Sequence, residues 1–141
     1  MIVLPRTLYV VFFAIISGCG EHADRLQNGI ESASRPAPDG LSRAFIWVPK
    51  TSDTVGATNS QPYEVWMQYS KDDKQPSLVL RADATDGLIV AWKTPQQIEI
   101  CYGPSHIYYF NNLFDRADQF ARQLYRVEIV LRRVQAISDC T

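Results

Sequence analysis

Three cysteines, two histidines and a set of aromatic rings are the side chains with the most chemistry to offer in this 141-residue chain. His106 is the one histidine in the strand-like part, since His22 lies far upstream. No cluster of His, Cys or carboxylate has the spacing of a zinc site, so no metal and no cofactor is expected. Neither Gly-x-Ser-x-Gly nor His-Glu-x-x-His occurs. His106 brought together with a distant Ser or Asp would make a small hydrolase, because triads are assembled by the fold. Its place at the start of a strand favours a solvent-edge histidine instead, and no catalytic residue is assigned. Gly56 and Gly87 lack the glycine-rich surroundings of a phosphate loop. Asp72 and Asp73, flanked by Lys71 and Lys74, lack the alternating oxygen ligands of a calcium loop.

Cys19 stands apart from the other two cysteines. Residues 1–18 carry one charge, Arg6, and an unbroken apolar run from Tyr9 to Ile16, followed by the small Ser17 and Gly18. That is the pattern of a secretory signal, and the run is too short for a membrane span of about 20 residues. Ile16-Ser17-Gly18-Cys19 resembles the bacterial lipobox, in which a peptidase cuts before a cysteine already bearing a diacylglyceryl group. The resemblance implies a lipidated Cys19 and attachment to the cell membrane or the outer membrane, with the exported domain on the periplasmic side. Gly20 follows the cysteine, where lipoproteins kept in the inner membrane typically carry Asp, which favours the outer membrane. An ordinary signal peptide would leave an unpaired thiol near a mature N-terminus in an oxidising space, an unusual arrangement. If Cys19 carries lipid, Cys101 and Cys140 remain. Either they form a disulfide, which export permits, or Cys101 is a buried apolar side chain and Cys140 a free thiol.

Composition narrows the partners. The chain has 14 basic and 15 acidic residues, and losing Arg6 moves the formal charge only from −1 to −2. So small a charge supplies no field for nucleic acid. At 46% hydrophobic and 11% aromatic, the chain has ample material for a core and is not disordered throughout.

The elements that would position these residues read as short strands. Residues 19–39 hold Gly, Asn, Ser, Pro and charges without a two-residue period and are expected to be a flexible tether. Pro38-Asp39-Gly40 is a turn, and 40–141 is expected to be a β-rich domain. Leu41–Val48 is apolar on both sides, as an interior strand is. Tyr63–Ser70, Ser77–Ala82, Leu88–Trp92, Ile98–Tyr102, His106–Asn111 and Tyr125–Val134 show strand alternation or its turns. Leu113, Ala117, Phe120, Ala121 and Leu124 have helical spacing and predict a short helix, with a long loop as the competitor. The fold expected is mainly β: a small antiparallel β-sandwich or half-open barrel of six to seven strands with at most one short helix.

This order resembles a family of short β-rich bacterial lipoproteins of unknown function. It runs from the apolar strand through Gly56-Ala57-Thr58, the hairpins and the Trp92 strand to Ile98-x-Ile100-x-Tyr102 and Val127-x-Ile129-x-Leu131. Val55 stands where a cysteine often occurs in that family, so a disulfide through that position is absent. The resemblance carries over no site residues; with no catalytic motif in the chain, the function expected is a membrane-anchored, non-enzymatic binding or structural role, and the alternative is the small envelope hydrolase using His106. An envelope protein or glycan partner would meet whatever the core leaves over. The candidates are Thr58 and Asn59 in the long 50–62 loop, and Trp66 on an otherwise polar strand face. Tyr109 is a further surface candidate, while Trp47 and Trp92 fit core packing.

Overall fold

The computed structural model describes Leu26 and residues 28–50, 62–70, 74–83, 87–118 and 123–140. Nine strands follow in chain order: β1 Gly29–Pro36, β2 Ser42–Pro49, β3 Tyr63–Tyr69, β4 Ser77–Ala82, β5 Leu88–Thr94, β6 Gln97–Tyr102, β7 Ile107–Phe110, β8 Leu113–Asp118 and β9 Gln123–Arg133. They form two sheets, ordered β1-β2-β3-β4-β7 and β5-β6-β9-β8. The chain enters the small sheet after β4, returns to the large one for β7, and crosses again through Asn111 and Asn112 to β8. The two sheets pack as a sandwich. Ala44, Ile46, Val65, Met67 and Leu80 from the large sheet meet Val90, Ile98, Ile100, Phe114, Val127 and Ile129 from the small one. Burial of these alternating apolar faces is the driving term.

Three features differ from expectation. Residues 29–36 belong to the sheet as β1, antiparallel to β2, so the folded unit begins ahead of residue 40. Their composition is that of an edge strand. A bulge between Glu31 and Ala33, exposed polar side chains and Pro36 at the strand end are the ways a sheet edge is kept from further pairing. Gly29 is there for contact: a Cβ would fall 2.2 Å from Trp47 Nε1, so glycine alone lets that indole lie across β1.

The predicted helix at 113–124 is also overturned. Leu113–Asp118 is strand β8, paired antiparallel with β9 from Leu113↔Glu128 to Asp118↔Gln123. Phe114 is the buried side chain of that run, and it lies on the face opposite the helically spaced Leu113 and Ala117. An edge strand with one core contact has too few apolar positions for its two-residue period to show. The count therefore rises to nine strands, and the only helical turn is a three-residue 3₁₀ segment, Ile137–Asp139, among the described residues. Finally, β6 and β9 run parallel, the one exception to antiparallel pairing among the described residues.

Candidate functional site

The largest run of exposed rings lies on β7, the outermost strand of the large sheet. Tyr108, Tyr109 and Phe110 are 57%, 43% and 37% exposed. Among the described residues the strand pairs with β4 on one side only, and its ladder slips: Tyr109 stands opposite Arg81 but Ile107 opposite Ala82. Tyr108 is the extra residue. A bulge of this kind re-aims a side chain, and here it turns the phenol toward Asp83, just beyond the end of β4.

Asp83 ties the corner together. Its Oδ1 accepts the backbone N–H of His106 at 2.5 Å and its Oδ2 accepts the Tyr108 hydroxyl at 3.2 Å. The Asp83 N–H in turn donates to the His106 carbonyl at 3.1 Å. The His106 and Tyr108 rings meet edge to face, with centroids 4.8 Å apart. The Tyr108 phenol is held above its ordinary value, by partial desolvation first and then by its hydrogen bond to Asp83 and the charge of that carboxylate.

His106 thus has a carboxylate and a phenol near it, but the carboxylate engages its main chain, the phenol hydroxyl donates to that carboxylate, and only the Tyr108 ring meets the imidazole. Each Asp83 oxygen is engaged elsewhere, and among the described residues no carboxylate accepts the imidazole N–H as acid–base catalysis in a triad requires. Asp83 itself gave no signal in the sequence: it lies 23 residues from His106 and no motif links the two. Among the described residues no group of three or more His, Cys, Asp or Glu is placed to hold a metal ion.

The other sequence candidates separate. Trp66 is not a surface ring. It is 1% exposed, and its indole N–H donates to Glu64 Oε2 at 3.0 Å. Glu64 is buried as well, and its Oε1 takes Arg81 at 2.7 Å. The polar partner on the Trp66 face is therefore inside, and the tryptophan goes in with it. Thr58 and Asn59 lie outside the described residues, as does Cys19. Cys101 and Cys140 are joined by a disulfide, with Cα atoms 5.9 Å apart. Trp92 packs against the core and donates to the Arg35 carbonyl at 2.9 Å.

Comparison with protein-family models, with curated proteins and with solved structures finds no match for this chain.

Proposed function

We propose that this protein is a lipid-anchored, non-enzymatic binding module of the bacterial cell envelope, held by Cys19 and meeting an extended segment of a partner protein along β7. The observation that carries the binding role is the aromatic edge. Ile107-Tyr108-Tyr109-Phe110 contains no charge and no proline, two of the devices that blunt an edge strand, while its four-residue length and its bulge confine any added pairing to a few residues. An exposed strand edge flanked by rings suits strand addition, in which main-chain hydrogen bonds supply affinity and side chains supply choice.

Cysteine usage supports the anchor. Disulfides persist in oxidising compartments, and pairing of Cys101 with Cys140 leaves Cys19 as the one cysteine without a thiol partner. Cys19 also sits in the segment that resembles a lipobox. A hydrolase built on His106 is the less favoured reading, because the nearby carboxylate is spent on a main-chain N–H and a phenol.

The test is a photo-reactive amino acid placed at Tyr109 in intact cells, with Leu124, exposed on β9, as the control position. A protein adduct specific to position 109 is expected. The same adducts at both positions would remove β7 as the contact surface.

A further inference from the structure

The side of the sandwich opposite β7 is open. There β1 ends one sheet and β5 ends the other, and between them lies a cavity of about 140 Å³. Its existence follows from two small residues. Ala33 of β1 and Ala44 of β2 face it, where neighbouring core positions of the same sheet hold Val65, Met67 and Leu80. Ile46, Leu88 and Val90 complete the apolar walls. An apolar space of about 150 Å³ takes a benzene-sized molecule and stays dry without one. Each strand lines it over at most three successive positions, so it extends about 7 Å along the strands. That shape suits a short alkyl chain.

Its mouth is formed by Arg35 and the exposed Ile89. Among the described residues the Arg35 guanidinium makes one contact, to the Ser34 carbonyl at 3.3 Å, and no carboxylate pairs with it. The same residue's carbonyl accepts the Trp92 indole N–H at 2.9 Å, which holds this part of β1 against β5. A cation free to bind is therefore fixed at the rim of an apolar slot. Arginine presents a fork of donors that matches a carboxylate.

We propose that this slot binds a short fatty acid of about six to eight carbons, its tail between the sheets and its carboxylate on Arg35. The site is separate from β7 and does not depend on what β7 contacts.

The experiment is photo-labelling of the purified full chain, disulfide intact, with an octanoate carrying a diazirine on its tail, followed by peptide mapping. Label is expected on the peptides holding Ala33–Arg35 and Leu88–Val90. Octanoate competes for it and octanol, which lacks the charge, competes at least tenfold less well. Arg35→Gln weakens octanoate competition by about tenfold, the loss of one charge-assisted contact. Ala33→Phe fills the slot and removes the label while circular dichroism remains strand-rich. If Ala33→Phe fails to fold, Ile89→Glu decides: a surface substitution, it sets a negative charge at the mouth and cuts labelling about tenfold. Label spread over other peptides, equal competition by octanol, or undiminished labelling in a folded Ala33→Phe or in Ile89→Glu would each overturn the proposal.

Discussion

Glu64 decides where Trp66 goes. In β3, Tyr63, Val65, Met67 and Tyr69 turn to the core, which leaves Glu64, Trp66 and Gln68 on the other face. Two polar neighbours make that face look solvated in the sequence, and Trp66 then reads as an exposed anchor. The structure reverses this because the carboxylate is satisfied internally, by Arg81 on β4 and by the Trp66 indole. Periodicity reports which side chains share a face, and is silent on whether a charge there has found its partner. Glu64→Ala leaves Arg81 and the indole N–H without their acceptor, and a loss of about 3 kcal/mol in urea unfolding is expected. Glu64→Gln keeps a carbonyl oxygen for one of them and should cost visibly less. Equal stability of the alanine variant and the parent would mean that the cluster contributes nothing.

Tyr125 has the clearest pH signature. Its hydroxyl and that of the buried Ser42 lie 2.8 Å apart, and the phenol is raised above its ordinary value of 10.0 by burial first, against a lowering contribution from Ser42. A raised folded value means that the stabilisation is fully present below the unfolded pKa and is lost as pH rises through the folded one. Urea midpoints should therefore hold steady up to about pH 10 and fall above it. Tyr125→Phe lowers the midpoint at neutral pH, by about 1 kcal/mol of lost hydrogen bonding, but flattens the decline above pH 10. An unchanged alkaline slope in that variant would assign the effect to other tyrosines.

The elements were legible in proportion to their burial. Interior strands such as β2, β3 and β6 have one or both faces in the core, so their two-residue period stands out. The edges β1 and β8 bury little: most of β1 is exposed, and Phe114 is the one buried side chain among those described in β8. Without a periodic apolar signal, composition made β1 a tether and chance spacing made β8 a helix. The parallel pairing of β6 with β9 had no local signature either, because direction in a sheet is set by how the chain crosses between layers. Nor could the strand pattern bring Asp83 to His106, a contact made only when β7 docks on β4. The disulfide was open in the sequence for the same reason. It joins β6 to the C-terminal segment across 39 residues, a closed loop for which chain entropy gives about 4 kcal/mol. Cys140→Ser should lower stability by roughly that amount, and a reducing agent should do the same to the parent protein. Should reductant shift the parent's denaturant midpoint by no more than it shifts the serine variant's, the disulfide would be carrying none of the stability.

In the molecule as a whole, two sheets share one core, a ring-lined edge lies on one side and an apolar slot on the other. The lipid reading adds a constraint on how far these surfaces stand from a membrane. Nine residues, 20–28, separate the cysteine that would carry lipid from the first residue of β1. Fully extended, they reach about 35 Å at most, so the sandwich would stay within about its own length of the bilayer. One acyl chain anchors only marginally, at about 0.8 kcal/mol per buried CH₂, while two or three hold essentially without release. Cys19→Ala should therefore move the protein from the membrane fraction to the soluble one and abolish labelling by a fatty-acid analogue. Because Cys101 and Cys140 pair with each other, the sandwich itself should be unaffected, with the same strand-rich circular dichroism and the same unfolding midpoint. If the alanine variant still sediments with membranes in high salt, the attachment is made elsewhere on the chain. If it is released but misfolded, Cys19 is doing structural work that a disulfide between the other two cysteines does not allow for.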